Sequence, residues 1–156
     1  MTKVLIVEDD MHKRQQIEAY FQDRAPEVNV NVAVSLIGGL RALRSISPDI
    51  VILDMTLPNH DPEDDGHIGS MLAFGGEEFL RQARRFNSNA VVVVVTQFET
   101  FGDEENAKER HELEADLMRT FPGIFKGMVY YHASLSGWSE ELDTLILKSL
   151  QSGVAE

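Results

Sequence analysis

Lys3-Val-Leu-Ile-Val-Glu-Asp-Asp10 is the stretch that decides the fold of this 156-residue chain. An almost wholly apolar run, rich in Val and Ile, ends abruptly at acidic side chains. The pattern recurs in Asp49-Ile-Val-Ile-Leu-Asp54 and, with a hydroxyl in place of the acid, in Ala90-Val-Val-Val-Val-Val-Thr96. Such runs are typical of strands buried on both faces of a parallel sheet. Since ligands of open α/β sheets bind outside the carboxyl ends of the strands, the sequence predicts a polar site at that edge.

Three carboxylates and one hydroxyl are expected to meet there: Glu8, Asp9, Asp54 and Thr96. Carboxylate oxygens are the ligands that Mg²⁺ prefers, and a carboxylate can also act as a nucleophile toward phosphorus. The residues therefore predict a site for a hard cation and a phosphoryl group. For any one acid the simpler interpretation is a helix cap, and that interpretation is kept for Asp10.

Composition limits the class of protein. With 43% hydrophobic and 26% charged residues, the chain is predicted to form one soluble domain over residues 1–156. It has no cysteine, which excludes disulfides and thiolate metal sites. No apolar run approaches the ~20 residues that span a bilayer, and the chain enters its first strand without a leader-like segment. A cytoplasmic protein that does not contact membranes is expected.

The charge distribution argues against direct nucleic-acid binding. The net charge is −12, whereas phosphate backbones are bound by clusters of Lys and Arg. The basic residues are scattered, Lys13-Arg14 among them, and most of them are expected on solvated helix faces.

The order of elements is strand then helix, repeated five times. The predicted strands are Lys3–Val7, Val28–Val34, Asp49–Leu53, Ala90–Val95 and Met128–Ala133. The predicted helices are Met11–Arg24, a helix capped by Ser35 that runs to Ile46, Glu77–Phe86, Gly102–Thr120 and Trp138–Leu150. Residues 55–74, rich in Pro, Gly, Asp and His, form an extended acidic loop.

This order predicts a flavodoxin-like, doubly wound α/β sandwich. It has a five-stranded parallel sheet in the order 2-1-3-4-5 and five helices, with right-handed crossovers. Val28–Val34 alternates apolar and polar residues, as expected of the edge strand. Strands one and three then lie side by side, which brings Glu8 and Asp9 next to Asp54.

These residues resemble the receiver domain of two-component response regulators. The matching segments are Val4-Leu-Ile-Val-Glu-Asp-Asp10, Asp49-Ile-Val-Ile-Leu-Asp-Met-Thr-Leu-Pro58 and Val94-Val95-Thr96. The resemblance covers nearly the whole chain but is close only as far as Pro58 and around strand four.

The resemblance implies a role for each matching residue. Asp54 would be the phosphoacceptor, Thr96 the switch hydroxyl and Tyr131 the aromatic switch on strand five. Mg²⁺ would be held by Glu8, Asp9, Asp54 and the backbone carbonyl of Thr56.

The implied function is that of a stand-alone receiver in a Mg²⁺-dependent phosphorelay. A histidine kinase or phosphotransfer protein would supply the phosphoryl group, and an output protein or a second copy of the chain would read the result. The charged helix Gly102–Thr120 is a candidate for that contact surface. The protein would not be a conventional enzyme: its chemistry would be limited to its own phosphorylation and dephosphorylation.

One departure from the family puts the phosphoryl chemistry in question. Receivers carry a lysine after strand five, where this chain has Ser134 or Leu135, depending on how the count is made. Lys126 is expected to precede the strand, at the opposite end. Gln97 stands where receivers favour a small residue. The sequence thus predicts that the cation facing the phosphoryl group is lost.

Two other interpretations follow from these departures. The chain could be a pseudo-receiver, a binding module that works without phosphorylation through its loop and helix surfaces. A Mg²⁺-dependent phosphohydrolase is disfavoured, because Thr56 stands where a second acid would be needed. The run Asp61-x-Glu63-x-Asp65-Gly66 imitates a calcium loop, but Leu72 replaces the final Glu, so a solvated loop is favoured.

Overall fold

The computed structural model describes residues 2–62, 71–86, 88–97, 100–101, 108–132 and 137–155. Three groups of sequence predictions lie outside these residues. They concern most of the calcium-like run, the beginning of the predicted fourth helix, and the positions Ser134 and Leu135.

Five parallel strands form the central sheet. They are β1 (Lys3–Val7), β2 (Asn29–Ala33), β3 (Ile50–Leu53), β4 (Val91–Thr96) and β5 (Phe125–Tyr130). Their spatial order is β2-β1-β3-β4-β5, all parallel, as the sequence predicts. The half-polar strand β2 lies at the edge, and β1 and β3 are neighbours at the point where the strand order reverses.

Five helices cover the two faces of the sheet. They are α1 (Met11–Arg24), α2 (Leu36–Ile46), α3 (Gly75–Arg85), α4 (Arg110–Thr120) and α5 (Gly137–Ala155). Helices α1 and α5 pack on one face, whereas α2, α3 and α4 pack on the other, which gives two buried apolar layers. The doubly wound sandwich is confirmed. None of the described helices is long and apolar enough to cross a membrane.

Side-chain caps explain where the first two helices begin. Asp10 Oδ1 accepts a hydrogen bond from the Lys13 amide at 3.0 Å, and Ser35 Oγ accepts one from the Gly38 amide at 3.0 Å. Each cap satisfies an amide that the helix itself leaves unpaired. The prediction that Asp10 is a cap is confirmed.

The boundaries of three elements differ from the predicted ones by three residues or more. Strand β5 begins three residues early, because Phe125 pairs with Val92 and its ring is buried, so Lys126 lies inside the strand. Helix α4 begins only at Arg110, since Lys108–Glu109 pairs antiparallel with Thr100–Phe101. Helix α5 continues to Ala155, past the predicted end.

The acidic loop is closed at its base by a short strand pair. Leu57–Pro58 pairs antiparallel with Met71–Leu72, and the chain then enters α3 at Gly75. Leu57 is fully buried, so the loop begins from a fixed point directly below the strand ends.

Helix α3 approaches the end of β3 so closely that only glycine fits at Gly76. A Cβ atom there would lie 2.8 Å from the carbonyl oxygen of Asp54 and 2.9 Å from the Cα of Met55. The Gly76 amide also donates a hydrogen bond to the Met55 carbonyl at 2.9 Å. The absence of a side chain therefore lets α3 hold the backbone on which Asp54 stands.

Gly76→Ala is expected to destabilise the protein by about 1–3 kcal/mol, because backbone atoms have to move to admit the methyl group. Gly137→Ala is the matched control, since a Cβ at that helix position meets nothing within 4 Å; its effect should stay within about 0.5 kcal/mol. Urea unfolding followed by circular dichroism measures both. Equal stability of the two variants would contradict the close approach.

Candidate functional site

The carboxyl ends of β1 and β3 bring the predicted acids together. The Glu8 amide donates to the Ala33 carbonyl and the Asp54 amide to the Val7 carbonyl, both at 3.0 Å, so the sheet ladder continues past the last strand residues. Glu8 is 1% exposed and Asp54 6%, while Asp9 is half-buried. One carboxylate oxygen from each of these three acids lies within 4.8 Å of the others. They form the acid cluster of Glu8, Asp9 and Asp54.

A lysine that the sequence analysis placed on a solvated face lies in the middle of this cluster. Lys13 is 1% exposed. Its ammonium lies 2.6 Å from Glu8 Oε1 and 3.5 Å from Asp54 Oδ1. It also donates a hydrogen bond of 2.6 Å to the carbonyl of Val95, the penultimate residue of β4. The prediction that Lys13 is solvated is therefore wrong, and a cation from α1 lies beside the acids, although the lysine expected after strand five is missing.

Helical spacing explains how Lys13 reaches the site, and it is a signal that was present in the sequence. Lys13 stands four residues before Ile17 and seven before Tyr20, both of which are buried. Residues at this spacing share one helix face. Because α1 begins directly after the acids, its first turn carries that face over the ends of the strands, and the long lysine side chain reaches down to the carboxylates.

Two further predicted site residues border the cluster. Thr96 is fully buried at the end of β4, and its carbonyl accepts a hydrogen bond of 2.7 Å from the Tyr131 amide. Tyr131 is 3% exposed and follows β5 rather than lying within it, which corrects its predicted place on the strand. The centre of its ring lies 6.0 Å from the Lys13 ammonium and 5.4 Å from the ring of Trp138.

Four other residues weighed in the sequence analysis have surroundings of their own. Thr56 is half-buried in the loop after β3, and its hydroxyl donates to the Ala73 carbonyl at 3.4 Å. Gln97 and His132 are exposed. Asp61 accepts a hydrogen bond of 2.5 Å from the Ser35 hydroxyl, so this acid of the calcium-like run is held against the start of α2.

Burial and mutual repulsion make the acids of the cluster harder to ionise than isolated carboxyl groups. Burial raises the pKa of Glu8 to about 9, and the neighbouring Asp54 carboxylate adds to this while the Lys13 ammonium opposes it. Burial and then the charge of Asp54 raise the pKa of Asp9. Burial also raises the pKa of the Tyr131 phenol. The acids therefore resist ionisation in the metal-free protein, and a divalent cation that stabilises their ionised forms would be favoured.

The available donors fit a hard divalent cation. All three side chains offer carboxylate oxygens, the ligands on which Mg²⁺ and Ca²⁺ depend. Asp54 Oδ1 is buried and accepts no hydrogen bond from any residue in the described ranges. A buried carboxylate oxygen left in this state is costly unless a cation or a covalent partner meets it. The residues that could hold the ion are Glu8, Asp9 and Asp54.

Two relatives cover almost the whole chain. The uncharacterised protein y4jR of Sinorhizobium fredii is 35% identical over 137 residues, which are 87% of this chain and 91% of that protein. The Detocs response regulatory protein DtcB of Enterobacter cloacae is 27% identical over 142 residues, which are 90% of this chain and 95% of that protein. No family model matches the sequence.

Solved structures with the same fold are receiver domains. The signal receiver domain of a LuxO repressor protein from Vibrio parahaemolyticus superposes with a TM-score of 0.65 at 16% identity, over 97% of this chain and 91% of that one. The response regulator TrrA of Thermotoga maritima, solved with Mg²⁺ and BeF, superposes with a TM-score of 0.60 at 17% identity, over 93% and 99%.

The sheet order, with the acid cluster at its switch point, places this molecule in the structural class of response-regulator receiver domains, whose fold it shares. Within that class, the chain belongs to the same protein family as y4jR of Sinorhizobium fredii.

Asp9→Asn is expected to stabilise the metal-free protein at pH 7 by about 0.5–1 kcal/mol, the range for partly solvated charges. The pKa of Asp9 is raised in the folded state, so its ionisation opposes folding above its ordinary pKa near 4 and has no effect below it. The gain should therefore vanish on acidification below about pH 4.

Asp10→Asn is the matched control for this prediction. Asn caps helices as well as Asp does, and Asp10 is an exposed cap outside the cluster. Chemical unfolding at pH 7 and pH 3.5 measures both variants. A stabilisation by Asp9→Asn that is equal at the two pH values would contradict the repulsion within the cluster.

Proposed function

We propose that this protein is a response-regulator receiver that accepts a phosphoryl group on Asp54 in a Mg²⁺-dependent phosphorelay. The observation that carries the proposal is the juxtaposition of Asp54 with Glu8, Asp9 and the Lys13 ammonium. Phosphoryl transfer to a carboxylate needs an acid that can act as nucleophile, neighbouring acids that suit a divalent cation, and a fixed positive charge.

The transfer step is a displacement at phosphorus. An oxygen of the ionised Asp54 forms the new O–P bond, and the bond from phosphorus to the donor breaks with its electron pair leaving on the donor. A phosphohistidine donor loses phosphorus from its ring nitrogen, and the freed imidazole takes its proton from water. The product is an acyl phosphate on Asp54, a mixed anhydride that water can later cleave to restore the carboxylate.

Glu8, Asp9 and Asp54 would hold the magnesium ion, with the backbone carbonyl of Thr56 as a further ligand. When bound, Mg²⁺ neutralises the repulsion between the acids and the anionic phosphoryl group. Glu8 is buried directly after β1, and the half-buried Asp9 would leave a bound ion accessible from solvent.

Thr96 and Tyr131 are proposed to transmit the change. Thr96 stands at the end of β4, next to the Val95 carbonyl that already holds Lys13. Its hydroxyl would donate to a phosphoryl oxygen on Asp54. Tyr131, whose amide is bonded to Thr96, would adjust its ring as that loop closes.

The proposed partners follow from this chemistry. A histidine kinase or phosphotransfer protein would supply the phosphoryl group in the cytoplasm, and an output protein or a second copy of the chain would bind the altered surface. The name of the relative DtcB, a response regulatory protein, supports a signalling role. The pseudo-receiver interpretation rests on the missing lysine and on Gln97, and the Lys13 ammonium beside Asp54 weakens the first of these arguments.

Mg²⁺ binding should depend on Asp9 and not on its neighbour. Asp9→Asn removes a charged ligand and should weaken the affinity for Mg²⁺ by about tenfold or more. Asp10→Asn, which leaves the cluster intact, should bind as the unaltered protein does. Titration calorimetry measures the dissociation constants. Identical affinities of the two variants would exclude Asp9 from the metal site.

Incubation with Mg²⁺ and acetyl phosphate, or with the cognate kinase, is expected to add one phosphoryl group to Asp54. Asp54→Asn should abolish the addition, because an amide is too weak a nucleophile. Asp49→Asn is the matched control, since Asp49 lies just before the other end of β3 and accepts a hydrogen bond from the Lys3 amide. Intact-protein mass spectrometry reads the product. Labelling that survives in Asp54→Asn would place the acceptor elsewhere.

A further inference from the structure

We propose that Lys13, on the first turn of α1, supplies the phosphoryl-binding cation that receivers otherwise carry after strand five. This inference rests on the proposed phosphorylation of Asp54. It assigns a new role to a residue of this chain: the Lys13 ammonium would bind an oxygen of the phosphoryl group as it transfers to Asp54.

The position of the ammonium supports this role. Lys13 Nζ lies 3.5 Å from Asp54 Oδ1, the buried oxygen that accepts no hydrogen bond from the described residues. Only the phosphorus atom would separate that carboxylate from the phosphoryl oxygens, so these oxygens would lie within reach of the same ammonium. A charged donor to an anionic acceptor is the strongest kind of hydrogen bond available here.

The ammonium is also held in place before any phosphoryl group arrives. Glu8 Oε1 at 2.6 Å and the Val95 carbonyl at 2.6 Å fix Nζ from two sides, and the side chain is 1% exposed. Because its side chain is already fixed, Lys13 loses little further conformational entropy when the phosphoryl group is transferred.

The balance of charge shows that Lys13 complements a metal ion and does not replace it. When all three acids of the cluster are ionised, the single ammonium leaves two negative charges unbalanced. One divalent cation in addition to Lys13 neutralises the site. The incoming phosphoryl group then adds negative charge, and the ammonium beside Asp54 is the group placed to meet it.

The place of Lys13 on α1 suggests how phosphorylation of Asp54 would change the structure around the site. Lys13 now bonds the carbonyl of Val95, which directly precedes Thr96. If the ammonium turns toward the phosphoryl group, it releases that carbonyl just as the Thr96 hydroxyl is drawn inward. Phosphorylation of Asp54 would thereby change the contact between α1 and the end of β4.

Because the chain has no cysteine, a single cysteine introduced at position 13 can be modified to carry an ammonium group or to lack it. Lys13→Cys is alkylated in denaturant with bromoethylamine, which rebuilds a lysine side chain with one sulfur, or with bromopropane, which gives the same shape without the charge. Both proteins are refolded and compared with the unaltered protein. Three quantities are measured: the rate of phosphorylation by acetyl phosphate, the affinity for beryllofluoride with Mg²⁺, and the affinity for Mg²⁺ alone.

The ammonium form is expected to react like the unaltered protein. The propyl form should lose about 10–100-fold in rate and in beryllofluoride affinity, the scale of one charge-assisted hydrogen bond. Its affinity for Mg²⁺ should be unchanged or higher, since a neighbouring positive charge is gone. A parallel loss of Mg²⁺ binding would show that Lys13 only supports the structure, and equal reaction of both forms would show that its charge is not used; either result overturns the inference.

The outcome also separates this inference from the proposed function. If the unaltered protein is phosphorylated and the propyl form is equally active, only the role of Lys13 fails. If the unaltered protein takes neither a phosphoryl group nor beryllofluoride, both fail.

A second measurement needs no variant that might not refold. In protein labelled with ¹⁵N-lysine, the Nζ signal of Lys13, assigned by its slow exchange in a buried site, should shift when beryllofluoride is added with Mg²⁺. The signal of Lys126, which is exposed at the other end of β5, is the internal control. A Lys13 signal that does not move would overturn the inference.

Discussion

The ion pair between Lys13 and Glu8 is the interaction on which the site depends. Two carboxylates buried at neighbouring strand ends lose their hydration and repel each other, and each effect opposes folding. The ammonium at 2.6 Å from Glu8 and 3.5 Å from Asp54 offsets both without any ligand. The fold can therefore keep acids buried at its switch point, ready for a divalent ion, because one cation of its own is already there.

The same lysine determines how α1 lies on the sheet. Its hydrogen bond to Val95 reaches across the ends of β1 and β3 to β4, so one side chain connects a helix to three strands. At the far end of the helix, Tyr20 donates to Asp143 of α5 at 2.6 Å. Helix α1 is thus held at one end by the charges of the site and at the other by α5. A change in the charge of Asp54 would therefore act on α1 through Lys13.

Most of the fold could be predicted because each element carries its own local signal. Val-rich runs identified the buried strands, the alternating run identified the edge, and Asp10 and Ser35 identified two helix starts. The errors fall where a pairing partner decides the boundary, as for Phe125 opposite Val92, or Lys108–Glu109 opposite Thr100–Phe101. Such pairings depend on segments far apart in the chain, which local patterns do not report.

The acids of the site could be predicted from the strand ends, whereas the cation could not be found by counting from strand five. A phosphoryl site requires a positive charge at a point in space, and that requirement does not specify which element supplies it. Here α1 follows Glu8 and Asp9 with only Asp10 between, and a lysine in its first turn reaches the cluster. A family residue that is missing from its usual place therefore does not by itself show a loss of chemistry. The buried faces of the other elements that reach the site must first be searched for a substitute.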